Sequence, residues 1–391
     1  MTVAPLYHVL IVNHSSDNGG ADFSLEALVA SMPSARCSYT IALPVPGPSV
    51  NRLRARGLEV RIVPLESWRW WVDTGTHVLK FFLTLPFQLL SLLRWLRFLR
   101  QLHPDIVHFN INRLTEPVLA ARMLRIPSVM HFRDIPSRVT HRFVLGWRGF
   151  YAIMNMADCW IANSSATDQD IAPHARHPVK VIPNAMDLVD FDRTASRCER
   201  GGSMGGSLIV AMVALLVPWK NHATYIEVTK QVARSRDDVV FLIAGAGDPE
   251  YTFQLKQLAR DLGVAEKVKF LGHVDNVPGF LLNIDLLVHT TDREPFGRVF
   301  IEAMAASKPV VAFDSGGAAE IVANGETGFL IPTGDIEAMA SAVCRLLDDP
   351  ALRQRMGEAG RRRVEERYTI QRHVDSVFQV YQEILEQPSS K

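Results

Sequence analysis

The chain has 391 residues, a length that suits about two to three domains. Hydrophobic residues make up 48% and charged residues 21%, so a large core forms without help from disulfides or metals. With 42 Lys and Arg against 41 Asp and Glu, the net charge of +1 argues against a nucleic-acid binder, and the four cysteines contain no CxxC pair, which fits a reduced compartment.

The N-terminus reads MTVAPLYHVLIVNH, without a basic region ahead of a cleavable apolar stretch, and the expected location is cytoplasmic. Short apolar runs then alternate with longer helical patterns. In the first half the runs are His8–Asn13, Tyr39–Leu43, Val60–Val63, Ile106–Phe109, Ser128–His131, Cys159–Ala162 and Val179–Ile182. In the second they are Leu208–Val213, Val239–Ala244, Val268–Leu271, Leu286–His289, Val310–Phe313 and Gly328–Ile331. Runs that are apolar throughout suit parallel strands covered on both faces. Their alternation with helices implies βαβ units. One helix is expected from Asp335, a good N-cap, with apolar residues at Ile336, Met339, Ala340, Val343 and Leu347.

A Gly- and Ser-rich stretch ending at Ser207 separates the two series and predicts a linker over 186–206. The expected organisation is two doubly wound α/β domains, 1–185 and 207–370, and a C-terminal helix in 371–391. Ligands of such sheets sit beyond the carboxyl ends of the strands. Two of them joined by a hinge are expected to face each other across a cleft.

The charge is uneven. Residues 51–100 carry nine basic and three acidic side chains, a net of +6, and the remainder sums to −5. The segment also holds Trp68, Trp70, Trp71, Phe81, Phe82, Phe87, Trp95 and Phe98. Its longest uncharged run, Phe81–Leu93, is shorter than the roughly 20 residues that a spanning helix needs. Two readings stand: a buried helix with a basic solvent face, or an element of 68–100 lying on an anionic membrane surface.

Candidate chemistry follows the strands. After the first comes a loop ending Gly19-Gly20-Ala21 at a helix start, either a tight turn or a close approach to a phosphate. His131-Phe132-Arg133-Asp134 is either a surface ion pair or a set that bonds a polar substrate. Lys220, in Pro218-Trp219-Lys220-Asn221, is either a solvated lysine or one that neutralises a phosphate. Ala244-Gly245-Ala246-Gly247 lacks the third glycine of a dinucleotide fingerprint.

The richest stretch runs from Asp292 to Ala305. Glu294 sits in a loop, Gly297 permits close backbone approach, and a helix begins near Arg298. Glu302 is a carboxylate in an otherwise apolar run, paired either with Arg298 at i,i+4 or with ligand hydroxyls such as a ribose diol. Gly201–Gly205 matches GxSxG, but in a linker, and reads as chance; Asp190-Phe191-Asp192 reads as no metal site.

Together these motifs resemble the retaining glycosyltransferases of family 4, with the GT-B fold. The resemblance rests on GGA (Gly19–Ala21), HPDIVH (His103–His108), HFRD (His131–Asp134), VIPNAMD (Val181–Asp187), PWKN (Pro218–Asn221), FLGHV (Phe270–Val274) and EPFGRVFIEAMA with its Glu294/Glu302 pair. It implies that Glu294 contacts the donor sugar near the reacting carbon and that His131 bonds a donor-sugar hydroxyl. Lys220 then neutralises the leaving diphosphate. Amides of Phe296, Gly297, Arg298 and Val299 hold sugar hydroxyls and diphosphate, Glu302 holds the ribose, Gly19 and Gly20 approach the diphosphate, and the backbone of Val274 meets the nucleobase. Arg133 and Asn184 are acceptor or phosphate candidates, and the final helix, in 371–391, is expected to cross back onto the first domain.

The resemblance further implies a UDP- or GDP-linked sugar donor, no cofactor and no metal. The acceptor is expected to be a hydroxyl of a saccharide or lipid-linked molecule; if 68–100 lies on a membrane, a lipid-linked acceptor in envelope polysaccharide or lipopolysaccharide assembly, on the inner face of the cell membrane, is expected. Two departures stand out. The family's phosphate-binding arginine is replaced by Leu215, and the glycine of its NG pair by Ala185. A nucleotide-sugar epimerase and a binding protein without catalysis are the rival readings.

Overall fold

A computed structural model describes residues 7–17, 19–67, 71–72, 77–136, 142–197 and 206–386. The chain divides into two compact units, Met1–Asn184 with Ile370–Lys391, and Ala185–Thr369.

The first unit contains β1 (Tyr7–Val12), β2 (Cys37–Leu43), β3 (Glu59–Ile62), β4 (Trp71–Val72), β5 (Ile106–Phe109), β6 (Ser128–Phe132), β7 (Arg142–Phe143), β8 (Cys159–Ala162) and β9 (Val179–Val181). Seven of these form one parallel sheet in the order β3-β2-β1-β5-β6-β8-β9. The small antiparallel pair β4–β7 was not expected from the apolar runs.

The period of two along each strand sorts side chains to opposite faces. Leu10, Val12, Val107, Phe109, Met130 and Phe132 enter one core with Trp95 and Leu99 of helix His77–Leu102. Val9, Ile11, Ile106, Val129 and Ile161 enter the other, with Leu25 and Leu28 of helix Gly20–Ser31 and with Val374, Val377 and Tyr381 of the terminal helix Ile370–Glu386.

The second unit contains β10 (Leu208–Val213), β11 (Val239–Ala244), β12 (Val268–Gly272), β13 (Leu286–His289), β14 (Val310–Phe313) and β15 (Gly328–Ile331), in the order β12-β11-β10-β13-β14-β15, all parallel. Val210, Met212, Phe241, Val288 and Phe313 face one core and Ala211, Leu242, Leu287 and Ala312 the other. Each apolar run of the sequence is a strand, displaced by at most two residues. Asp335 caps helix Ile336–Asp348 by accepting from the Ala338 amide at 2.9 Å. The α/β, GT-B-like class stands: two Rossmann-like parallel sheets.

The segment expected as a linker at 186–206 carries a helix, Leu188–Ala195, within the second unit. Asp187 caps it, and Phe191 and Ala195 are buried on one side. The helix is short and its buried residues, Phe191 and Ala195, are only two, so its apolar period is weak in the sequence. Asp190 and Asp192 pair with Arg193 and Arg361, the latter at 2.8 Å, so both carboxylates of the DxD-like triplet already face cations. Residues 198–205, with the GxSxG-like run, lie outside the described residues.

Helix His77–Leu102 has an inverted polarity over part of its length. Gln88 and Ser91 are buried beside Trp95, Leu96 and Leu99, whereas Leu85, Phe87, Leu89, Leu90 and Leu93 are exposed. Arg94, Arg97 and Arg100 follow, also exposed. The side chains of Trp68, Trp70, Trp71, Phe81 and Phe82 lie outside the described residues.

Candidate functional site

In the second unit the site grows from the carboxyl end of β13. The chain leaves His289, passes Glu294 and enters helix Arg298–Ala305 through Gly297 at φ +88°. A Cβ at Gly297 would meet the Phe300 ring at 2.3 Å, so only glycine closes this turn. The Glu294 carbonyl accepts from the Gly317 amide at 2.9 Å. Gly316, at φ +54°, passes so close that its Cβ would lie 2.1 Å from that same oxygen. The turn after β14 therefore clamps the Glu294 backbone.

The Glu294 side chain, 11% exposed, meets the ammonium of Lys220 at 2.5 Å. Lys220 ends a short 3₁₀ turn, Pro218–Lys220, and Asn221 then adopts the left-handed region (φ +57°) before helix His222–Ala233. Asparagine tolerates that conformation better than most residues. Three bonds tie this turn to the β13 loop: Thr290 Oγ1 donates to the Asn221 carbonyl at 2.8 Å, Asn221 Nδ2 to the Thr290 carbonyl at 3.3 Å, and Thr291 Oγ1 to the Trp219 carbonyl at 2.9 Å. The ammonium also stands 4.1 Å from the Trp219 ring centre.

His289 lies beneath the pair, with Nε2 3.6 Å from Glu294 Oε2. Burial, with Lys220 and His222 adding, holds its pKa well below the usual imidazole value, so it is neutral. Thr291 donates its amide to Nδ1 at 3.4 Å, which places the proton on Nε2, facing the carboxylate.

Arg298 and Glu302 pair at 3.2 Å on the same helix, each about one-fifth exposed. The i,i+4 alternative is thus realised, and Glu302 keeps an accessible edge. Phe296 is a core residue whose ring meets Tyr368 edge-on, so its amide alone is left for a ligand, while Val299 is half-buried. Val274 is half-buried in the loop after β12. Leu215, at the position of the family's arginine, is 56% exposed.

In the first unit, the loop after β1 is organised by Asp22, which sequence reasoning passed over. Its carboxylate accepts from Asn13 Nδ2 (2.6 Å), from Ser15 Oγ (3.1 Å) and from the Gly19 amide (3.0 Å). Burial raises the Asp22 pKa against the pull of these bonds. The Gly19 amide is thereby used inside the loop. Gly20, the exposed first residue of its helix, retains the outward position.

Arg133 is buried, gives Asn110 Oδ1 a forked pair of bonds at 3.0 and 2.8 Å and also donates to Asn184 Oδ1. The structure thus brings Arg133 and Asn184 together, as internal partners of each other. Ala185 is not among the described non-glycine residues with positive φ.

His131, at the end of β6, is fully buried and neutral, because desolvation, Arg133 and neighbouring imidazoles all disfavour its charged form. His108 lies 3.3 Å away, and its pKa is pushed down to about 3. His373 and Tyr381, from the terminal helix, complete the cluster. His108 stood within the HPDIVH motif, and the other two had no local signal.

The family model "Glycosyltransferase Family 4" matches residues 19–190, and "Glycosyl transferases group 1" matches residues 199–363. The lipopolysaccharide core biosynthesis glycosyltransferase LpsD of Rhizobium meliloti is 26% identical over 343 residues, 85% of this chain and 92% of that one. N-acetyl-alpha-D-glucosaminyl L-malate synthase of Bacillus anthracis is 35% identical over 148 residues, so that the match spans only 38% of each chain. The crystal structure of Anabaena HepE in complex with UDP-glucose superimposes with a TM-score of 0.78 at 22% identity, covering 96% of this chain and 100% of that one. With both halves matched in order and two parallel-sheet units of the expected kind, the chain belongs to glycosyltransferase family 4, the glycosyl transferases group 1, on the GT-B fold.

Proposed function

We propose that the chain moves a hexosyl group from a UDP- or GDP-linked sugar to a hydroxyl of a saccharide or lipid-linked acceptor, with retention at the anomeric carbon. The carrying observation is the Lys220–Glu294 pair, held beside the N-terminal end of helix Arg298–Ala305. An ammonium has three donors. One goes to Glu294, and the others serve phosphate oxygens as the diphosphate leaves. The helix-end amides add positive potential at the same place.

In this reading the bond from the anomeric carbon to the phosphate oxygen breaks while the bond to the acceptor oxygen forms on the same face. The departing phosphate oxygen takes the acceptor proton. Lysine and backbone amides fill the role of a divalent cation. Glu302 receives the ribose hydroxyls, and His131 bonds a sugar hydroxyl. The test is direct: the full chain is incubated with UDP-glucose and with GDP-mannose, and nucleotide release, thermal shift and product configuration are followed. Stabilisation of about 2.7 kcal/mol is expected when a donor is present at about 100 times its Kd. Failure of any nucleotide sugar to stabilise the protein or be consumed would overturn the reading.

The acceptor class is read from helix His77–Leu102. Among the described residues no helix is long and apolar enough to cross a membrane. This helix has no Asp or Glu, and its exposed Phe87, Leu90 and Leu93 run into exposed Arg94, Arg97 and Arg100. Apolar side chains for the acyl boundary followed by guanidinium groups for anionic headgroups suit a peripheral attachment. A lipid-linked acceptor in envelope polysaccharide or lipopolysaccharide assembly fits that position, as does the likeness to LpsD.

A further inference from the structure

A chain of three side chains in the first unit ends at His131. Tyr381 Oη lies 2.6 Å from His108 Nδ1, and His108 Nε2 lies 3.3 Å from His131 Nδ1. All three are fully buried. The remaining ring nitrogen, His131 Nε2, is buried and has no hydrogen-bond partner.

We infer that Tyr381 and His108 are positioning residues that lock His131 in the tautomer with its proton on Nε2, so that it serves as a hydrogen-bond donor to a substrate oxygen. The role of that oxygen rests on the glycosyl-transfer reading above. The direction of the chain follows from Tyr381. Among the described residues its hydroxyl has one hydrogen-bond partner, His108 Nδ1. A buried O–H without an acceptor is costly, so the phenol donates. His108 Nδ1 then accepts, which puts the His108 proton on Nε2. That N–H donates to His131 Nδ1, and the proton of the neutral His131 is left on Nε2. Both imidazoles are held neutral by burial, so no protonated form disturbs the sequence.

His373 supports the same arrangement from the side. Its Nδ1 donates to the Pro183 carbonyl at 2.8 Å, and its ring stacks on His131 at 6.2 Å between centres. That contact fixes the plane of the His131 ring, while the tyrosine fixes its proton. Both come from the terminal helix Ile370–Glu386, about 250 residues further along the chain than the histidine they control.

The consequence is chemical. A His131 with Nε2–H gives a hydrogen bond to a hydroxyl or ring oxygen and does not accept a proton from an acceptor hydroxyl. It therefore orients and polarises the sugar and is no general base.

The experiment uses the full chain labelled with ¹⁵N-histidine. Wild-type protein is expected to show His131 with protonated Nε2 and bare Nδ1, and a nitrogen–nitrogen coupling across the bond from His108; a His131→Asn variant assigns the resonances. Tyr381→Phe removes one oxygen from a buried ring. Without the phenol, the two directions of the His108–His131 bond each leave one N–H without an acceptor, on His131 Nε2 in one and on His108 Nδ1 in the other, so a mixture of tautomers is expected. With a turned-over nucleotide sugar, kcat/KM is expected to fall by about 2–5-fold, in line with the share of protein left in the unproductive tautomer.

A proton on His131 Nδ1 in the wild type, or an unmixed Nε2 tautomer in Tyr381→Phe, would overturn the inference. The wild-type spectrum decides even where the variant folds poorly. Because it needs no substrate, its outcome is separate from that of the transfer reaction.

Discussion

Lys220 Nζ stands 2.5 Å from Glu294 Oε2 across 74 residues of sequence, in a pair whose side chains are 13% and 11% exposed. Removing either partner leaves the other charge poorly solvated. Lys220→Met and Glu294→Gln are each expected to cost about 1–3 kcal/mol in urea unfolding, and the double variant less than the sum. Donor turnover should drop by about 10²-fold or more in either single variant. Additive stability losses with near wild-type turnover would separate the pair from the chemistry.

Gly316 and Gly334 offer a matched comparison. Both have positive φ, but an added Cβ at Gly316 would press on the Glu294 carbonyl, whereas at Gly334 nothing lies within 4 Å. Gly334→Ala is expected to lose about 1 kcal/mol and keep full turnover. Gly316→Ala is expected to lose more stability and most turnover, since Glu294 must shift. Equal activities in the two variants would show that the clamp does not position Glu294.

The buried histidines set the acid side of the stability curve. His222 has its pKa lowered to about 4 by burial, with Lys220 adding, and His108 to about 3. In the unfolded chain both return to about 6.5 and take up protons there first. The unfolded state therefore binds more protons below that pH, and stability falls as pH drops from about 6.5 toward 4, by about 1.4 kcal/mol per pH unit for each such histidine. Above pH 7 both states are neutral at these positions and the contribution is flat. Urea midpoints between pH 8 and 5 measure the slope, and His222→Asn is expected to reduce it by the share of one histidine.

Membrane attachment is testable without touching the core. Arg94, Arg97 and Arg100 are exposed, so replacing all three with Gln should leave thermal unfolding unchanged. At about 1 kcal/mol each, their loss should weaken binding to phosphatidylglycerol-containing vesicles by about 10²-fold. Leu90→Asp should weaken binding to both anionic and neutral vesicles. Wild-type protein that ignores anionic vesicles in flotation would remove the membrane from the proposed function.

The strands were legible because parallel strands covered on both faces leave long apolar runs, as Val9–Val12 and Val210–Met212 do. Helix Leu188–Ala195 was not, because it is short and buries only Phe191 and Ala195, with Leu188 packed partly against the same core. At the candidate site, the placing of Glu294 and Gly297 in one loop was legible since charge, glycine and loop position coincide there, whereas Lys220 on its own reads as a solvated lysine and stands out only through the family resemblance. Asp22, His108, His373 and Tyr381 were not. Asp22 reads as an ordinary first-turn acid, and the other three acquire meaning only when the last helix meets the first sheet. Arg133 reads from the sequence as a surface or ligand group, because its burial against Asn110 and Asn184 is not visible from one strand end.

The first unit is made from two stretches of chain, with Ile370–Glu386 closing one face of a sheet begun at Tyr7. The join is marked by a bridge between Met186, the second residue of the second unit, and Thr369, its last. A ribosome therefore releases the second unit complete before the first has its final helix, although N-terminal domains ordinarily fold first. Until Val374, Val377, Val380 and Tyr381 arrive, the core that Val9, Ile11, Val129 and Ile161 share with Leu25 and Leu28 is incomplete and part of that face stays open to water. Cutting the gene at its midpoint cannot yield two autonomous halves, whereas a circular permutant that begins at Ile370 would gather the first unit into one continuous segment.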